Sequence, residues 1–384
     1  MRFGSRNGIE MKFDFLVIGA GISGAAAACE LAASGSVALI EAESTPGYHS
    51  TGRSAALFTR NYGAPAVRQI NQASQGFFTD PPPGFCQGPL LTPRGGLTVA
   101  APGEEHRLQA ILNLASSGHE IEPVSKADAL KLSPLLRQEH VGAAVYEEGV
   151  KDIDVAALHQ GYLKAFKHRD GLLFCCQRVT SMQHDGQMWR IKSADQSFNA
   201  RVVVNAAGAW AGRVAAMAGA SSIGLCAKRR TAIVVDAPVG MSINGMPAVD
   251  FAGSDAYFKP DAGRILASPG DQTAMEPQDV QPDEWDIAVL VDWLETQTSL
   301  KVKRIAHSWA GLRSFVADEV PVVGFDPLVP NFFWLAAQGG YGIMMAPALG
   351  RATAGLIFQD KLPADLLATG MQASLLSPGR ASLL

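Results

Sequence analysis

The sequence predicts an α/β protein with two parts: a parallel-sheet part, and an α+β part whose sheet is mainly antiparallel. Three observations predict it. An apolar run at Phe13–Ile18 is followed by a glycine-rich turn, an alanine-rich helix over Ala25–Ala33 and a second apolar run over Val37–Glu41. That order is a β-α-β unit. Helical and extended patterns then alternate as far as Gln359. Finally, 384 residues that are 47% hydrophobic and only 18% charged can fill a large core of two or three domains, which excludes a disordered or collagen-like chain.

The elements follow in order. Met11 begins the first patterned segment, so residues 1–10 are expected to be a disordered extension. Arg2, Arg6 and Lys12 before an apolar run imitate a secretory signal, but Asp14 and three glycines interrupt that run. Helices are expected at Ala64–Phe78, Glu104–Ser116, Lys126–Leu135, Asp154–His168 and Pro282–Thr298, and near Ile343–Gln359. Strands are expected at Leu172–Gln183, Met188–Ser193, Ala200–Ala206, Thr231–Asp236, Ala256–Lys259 and Arg264–Ala267, and near Val302–Trp309 and Phe332–Ala336. Pro81–Gly84 reads as a loop.

Charge and cysteine usage narrow the function. A net charge of −4 with no basic run argues against phosphate-driven nucleic-acid binding. The five cysteines, at 29, 86, 175, 176 and 226, are odd in number and lack zinc-type spacing. A reducing, cytoplasmic setting is therefore expected, with no disulfide scaffold and no metal site. The longest apolar stretches are broken by Gly, Ser, Glu or Gln, so no membrane span is expected.

Gly19-x-Gly21-x-x-Gly24 lies between strand and helix, and Glu41 ends the next strand. Gly19 permits the tight turn, Gly21 lets backbone approach a pyrophosphate, and Gly24 allows close helix–strand packing. Phosphates sit well on the free N–H groups of a helix start, and Glu41 suits a ribose 2′-OH. This is a Rossmann-like dinucleotide site that by itself fits NAD or FAD.

Three further segments carry a resemblance. Pro46–Ala56 (Pro-Gly-Tyr-His-Ser-Thr-Gly-Arg-Ser-Ala-Ala), Val202–Trp210 (Val-Val-Val-Asn-Ala-Ala-Gly-Ala-Trp) and Ala336–Ile343 (Ala-Ala-Gln-Gly-Gly-Tyr-Gly-Ile) resemble the FAD-contacting segments of the D-amino-acid oxidase/glycine oxidase superfamily. Gly47–Ala56, Asp154–Tyr162, Lys228–Arg230, Lys259–Gly263 and Trp309–Asp318 are most similar to its bacterial D-arginine dehydrogenase branch. The likeness runs from about Phe13 to Gln359. It implies non-covalent FAD, because no Cys or His occupies an attachment position. It also implies cofactor contacts from Gly19, Gly21, Ile22, Ser23, Gly24, Glu41, Ser50, Thr51, Gly52, Ser54, Ala55, Ala56, Ala206, Gly208, Trp210, Arg313, Gly339, Gly340, Tyr341, Gly342 and Ile343. Val179 is the choice for a backbone contact to adenine. The helix start after Gly340-Tyr-Gly342 would favour the negative charge of reduced flavin.

For the substrate, the resemblance assigns Arg230 and Arg313 to an α-carboxylate and Tyr62 and Tyr257 to the same pocket. A forked Arg grips a carboxylate through two hydrogen bonds. Arg229 and Arg230 are adjacent, so only one faces the pocket, and alternation alone does not say which. His49 and His159 are expected to be structural or loop residues.

Four pocket positions depart from the D-arginine dehydrogenase branch. Its cation-binding Glu is Gly96 here, its active-site His is Leu57, and a Met and a Val are Ala248 and Asp250. Gly340 also belongs to the expected pocket. Three departures make the pocket roomier or more apolar, so a neutral or apolar D-amino acid is expected. Asp250 is the competing feature, because Val249 and Asp250 face opposite ways and the sequence does not fix which points inward.

The expected enzyme has an FAD domain at 11–78, 148–219 and 318–384, and a substrate domain at 79–147 and 220–317. It oxidises a Cα–N bond by hydride transfer to flavin N5, and the imine hydrolyses to a 2-oxo acid and ammonia. No general base is evident, so the amine proton falls to water or Tyr62. Oxygen and a quinone both stay open as electron acceptor. The alternatives are a 2-hydroxy-acid dehydrogenase on the same scaffold, which Leu57 in place of a His base disfavours, and a non-catalytic flavin-binding protein.

Overall fold

The computed structural model describes residues 11–115 and 120–383. The expected extension over 1–10 and the end of the expected helix at Ser116 lie outside them. Two large sheets organise the chain. In the first, parallel strands Leu172–Phe174, Val37–Ile40, Met11–Ile18, Ser197–Asn205 and Phe332–Ala336 lie side by side. Antiparallel strands extend it beyond Ser197–Asn205: the hairpin of Ser181–His184 and Trp189–Lys192 pairs beside the start of that strand, and Val322–Phe325 pairs with Phe332–Ala336, which lies beside its end.

Helices Ile22–Leu31 and Gly342–Gln359 cover one face of this sheet, and Ala211–Ala218 covers the other. Small residues set the spacing. A Cβ on Gly350 would come within 3.0 Å of Ala26 Cβ, so the two helices pack almost backbone to backbone.

The second sheet has nine strands. Its longest members, Cys226–Asp236 and Ile305–Phe315, pair along most of their length. The sheet continues through Arg264–Ser268, Tyr257–Asp261, Ala248–Phe251, Gly96–Ala100, Ala143–Glu147 and Ile121–Val124. Leu97, Val99, Ile233, Val235, Val249 and Phe258 pack under helix Glu284–Gln297, which contributes Leu290 and Leu294. Cross-strand partners share a face, and alternate residues swap faces. The pairs Arg230–Gly311, Tyr257–Asp250, Asp250–Thr98 and Ala248–Gly96 therefore project from the face opposite that apolar layer. A three-stranded sheet of Leu57–Phe58, Lys151–Ile153 and Leu91–Pro93 accompanies the two large ones.

Several expected elements change. The strand expected over Leu172–Gln183 is two strands. Between them the chain leaves the sheet: Cys176 takes φ 58°, its N–H donates to Glu43 O, and the Gln177 N–H donates to Glu41 O. The helix expected over Glu104–Ser116 starts as a 3-10 turn, Glu105–Leu108, and becomes α-helical at Gln109–Ala115. Strands Gly96–Ala100, Ile121–Val124, Ala143–Glu147 and Ala248–Phe251 went unpredicted. They are four or five residues long, and their pairing, rather than their own pattern, holds them extended.

Candidate active site

The β-α-β unit opens a cleft of about 410 Å³, lined among others by Gly19, Gly21, Glu41, Thr51, Val179, Ala206, Gly208 and Trp210. Gly19 has φ 100°, and a Cβ there would meet Ala206 O at 2.6 Å. A Cβ on Gly24 would lie 1.8 Å from Gly19 O, so any side chain at 24 displaces the turn. Gly21 caps helix Ile22–Leu31, whose first turn has no acidic residue. Its first N–H groups have no intrahelical acceptors, and the Ile22 N–H is met by Thr51 Oγ1, at 3.0 Å. Glu41 accepts from the Ala20 and Glu43 N–H groups at 2.8 and 2.9 Å, which holds its carboxylate at the cleft. A cradle of uncapped N–H groups, glycines without room for Cβ and a fixed acid fits a dinucleotide.

A second cavity of about 150 Å³ shares Gly21, Ser50, Thr51, Ala206 and Gly208 with the first. Ile22, Ser23, Ser54, Ala55, Arg230, Tyr257, Arg313, Gly339, Gly340, Gly342 and Ile343 line it as well. Here the face of the second sheet meets the start of helix Gly342–Gln359. A Cβ at Gly340 would stand 2.8 Å from Arg313 Nη1, so this turn lies directly on the guanidinium.

Arg229 and Arg230 separate as alternation demands. Arg229 pairs with Asp271, Asp283 and Asp286 at 3.4, 3.5 and 2.8 Å. Arg230 faces the cavity, donates from Nε to Asp271 O at 3.0 Å, and has no carboxylate within 4 Å among the described residues. Arg313 likewise has no ion-pair partner among them. Burial and the neighbouring Arg313 charge make Arg230 less basic than usual. Burial raises the Tyr257 hydroxyl, while both arginines pull it back. Two unneutralised guanidiniums in one cavity are an anion site.

Other expected residues sit around these cavities rather than lining them. Gly52 and Ala56 shape the loop: the Gly52 N–H donates to Gly47 O and His49 O, and Ala56 takes φ 57° with its N–H on Ser54 Oγ. Tyr62 is 51% exposed, and its ring lies 5.1 Å from that of buried Tyr341. Burial pushes the Tyr341 hydroxyl up to about 12. Leu57 pairs with Asp152 in the small sheet. Gly96, Ala248 and Asp250 share the sheet face of Arg230 and Tyr257. Asp250 accepts from Thr98 Oγ1 at 3.0 Å, and burial raises its carboxyl to about 6, with the nearby Glu147 charge adding to the rise.

Some lining residues escaped sequence reasoning. His49 reaches the first cleft against Trp210, 4.5 Å between ring centroids, and pairs with Glu43 at 3.2 Å. It lies inside the loop already singled out, which was the available signal. Gln177 lines the same cleft because the chain leaves the sheet at Cys176. Arg53, Gly311 and Gln338, each inside a segment already singled out, and Thr231, next to Arg230, also line the second cavity. His159 meets the expectation of a structural residue: it is buried, its Nε2 lies 2.9 Å from Ala20 O, and burial lowers its basicity. All five cysteines are free. No helix among the described residues is long and apolar enough to cross a membrane.

Residues 14–356 match the family model described as FAD dependent oxidoreductase. Among curated relatives, the chain is 32% identical over 184 residues to the Xenopus laevis FAD-dependent oxidoreductase domain-containing protein 1, covering 42% of this chain and 36% of that protein. It is 24% identical over 261 residues to the glycine oxidase of Geobacillus kaustophilus, covering 65% of each. The chain thus spans less than two thirds of the length of either relative. Among solved structures, the L-proline dehydrogenase of P. horikoshii shares the fold, with a TM-score of 0.81, 23% identity and coverage of 93% of this chain and 96% of that one.

Proposed function

Starting from the fact that the chain belongs to the family of FAD dependent oxidoreductases, we propose that it oxidises the Cα–N bond of an amino acid, or of a related amine. The preferred substrate in this reading is a D-amino acid with a neutral or apolar side chain. The single observation that carries it is the pair Arg230 and Arg313, with no acid partner among the described residues, in a cavity that shares Gly21, Ser50, Thr51, Ala206 and Gly208 with the dinucleotide cleft. Glycine oxidase among the relatives supports an amino-acid substrate. An L-proline dehydrogenase among the structural neighbours leaves chirality to experiment.

The chain's own residues do the positioning. FAD, when bound, accepts the hydride from the substrate Cα. Arg230 and Arg313 hold the carboxylate in two-point contact, and Tyr257 stands beside them. The start of helix Gly342–Gln359 presents its positive dipole end to the same cavity, which favours negative charge there. The amine proton leaves to water or to Tyr62. Water then adds to the substrate imine, and a 2-oxo acid and ammonia depart. Oxygen or a quinone takes up the electrons. The FAD is held non-covalently.

In this reading the FAD domain is 11–78, 148–219 and 318–384, and the substrate domain is 79–147 and 220–317. The support is that every strand of the first large sheet falls in the former segments and every strand of the second in the latter.

A second reading of the side chain is favoured by one observation. Asp250 lies on the Arg230 face, with the Glu147 carboxylate near enough to disfavour its charge, and these acids would suit a cationic side chain in place of the acid missing at Gly96. The deciding experiment is anaerobic flavin bleaching against D- and L-amino acids, N-methyl amino acids and hydroxy acids. Bleaching by neutral D-amino acids is expected. A tenfold lead of D-arginine or D-lysine would select the second reading, and bleaching by hydroxy acids alone would overturn both. Acid denaturation should release FAD, and recovery of NAD would refute the cofactor.

A further inference from the structure

We propose that Asp271 is the positioning residue of the carboxylate anchor, acting through Arg230. This rests on the reading of Arg230 as a carboxylate ligand. The Arg side chain has several rotatable bonds, and two-point recognition of a carboxylate needs the plane of its fork to be fixed. The main-chain carbonyl of Asp271 supplies that constraint, accepting from Arg230 Nε at 3.0 Å. The terminal nitrogens of the fork make no ion pair among the described residues.

That carbonyl is itself held by the Asp271 side chain. One carboxylate oxygen accepts the Thr231 N–H at 2.6 Å. The other accepts the Thr231 hydroxyl at 3.0 Å and Arg229 Nε at 3.4 Å. Asp271 is thus tied to three consecutive residues of one strand: Arg229, Arg230 and Thr231. Arg229 carries the tie to Asp283 and Asp286 at the start of helix Glu284–Gln297. The Arg229 N–H meets Thr273 O at 2.8 Å, which fixes the far side of the same loop. Gly270 takes φ 78°, and a Cβ there would meet Asp255 Cβ at 2.2 Å, so the loop cannot slide at its near side. Arg229 is therefore the brace, and Arg230 is the ligand that the braced loop aims.

A purely structural role would lower stability and leave ligand affinity per folded enzyme unchanged. The positioning role moves carboxylate affinity while the chemical step is spared. The FAD-loaded wild type, Asp271→Ala, Asp271→Asn and Arg230→Ala are compared for KM and kcat on the best amino acid of the panel. Affinity for benzoate, read from the perturbed flavin spectrum, is measured beside them. Asp271→Ala should raise KM and the benzoate Kd about tenfold, with kcat within twofold and the FAD content unchanged. Asp271→Asn keeps the size and one acceptor, so it should fold and show a smaller rise, about threefold. The proposal fails if both Asp271 variants stay within twofold of wild type in KM and Kd while Arg230→Ala weakens both. It also fails if kcat falls with KM unmoved. If Arg230→Ala itself changes neither, the carboxylate reading is at fault rather than the positioning role.

Discussion

The two cavities share Gly21 and Thr51 but are made in opposite ways. The dinucleotide cleft is built from short continuous stretches of chain: 18–21, 40–43, 47–51, 177–179 and 206–217. Its geometry is mostly backbone, set by glycines with no room for a side chain. The anion cavity gathers single side chains from distant strands, with Arg230, Tyr257 and Arg313 brought together by cross-strand register. One region should therefore fail through backbone displacement, abruptly and with loss of cofactor. The other should fail through individual charges, in graded steps and with the cofactor retained.

The largest effect should come from the backbone side. Gly24→Ala places a Cβ where Gly19 O now stands, and the turn must open to admit it. The purified variant should lack flavin absorbance and melt earlier than wild type. A yellow, fully loaded Gly24→Ala protein would break the comparison at its first term.

A smaller effect is expected from the charge side. On the proposed carboxylate-binding reading, Arg313→Ala removes a charge-assisted contact worth about 1.5–3 kcal/mol, so KM should rise roughly tenfold to a hundredfold. The FAD content, read from the visible spectrum, should stay at the wild-type level. Loss of FAD in this variant would merge the two regions into one.

The smallest effect concerns Asp250 and sharpens the contrast by pH. Burial raises its carboxyl from the usual range to about 6. A raised acid pKa means that the folded state binds the proton more tightly than the unfolded state. Ionised Asp250 is therefore a cost to folding: absent below about pH 4, growing between pH 4 and 6, and constant above. Asp250→Asn should stabilise the protein by about 1–2 kcal/mol at pH 8, after discount for partial exposure, and hardly at pH 4. Thermal melts of both proteins at the two pH values test this. An equal gain at both pH values would mean that the charge is not the cause.

The difference between the regions also explains what could be read in advance. Gly19, Gly21, Gly24 and Glu41 were legible because their spacing is itself the mechanism: the turn, the uncapped helix start and the acid are neighbours along one β-α-β unit. A strand near Phe332–Ala336 was legible because that stretch is apolar at every position. The strands Gly96–Ala100 and Ala248–Phe251 were missed because neither extends far enough to show a period. The break at Cys176 was missed because its left-handed backbone is held by hydrogen bonds to Glu41 and Glu43, more than a hundred residues away.

The arginine pair marks the boundary most clearly. The sequence by itself determined that exactly one of Arg229 and Arg230 could face the pocket, because side chains alternate along a strand. It likewise determined that Val249 and Asp250 must point apart. Only the tertiary structure decided the assignments. Helix Glu284–Gln297 covers one face of the sheet and brings apolar Leu290 and Leu294 to meet Val249, together with Asp283 and Asp286 to meet Arg229. Arg230 and Asp250 are left on the opposite face. The physical reason is that alternation fixes relative direction within a strand, while absolute direction belongs to whatever packs against the sheet, and that partner comes from elsewhere in the chain.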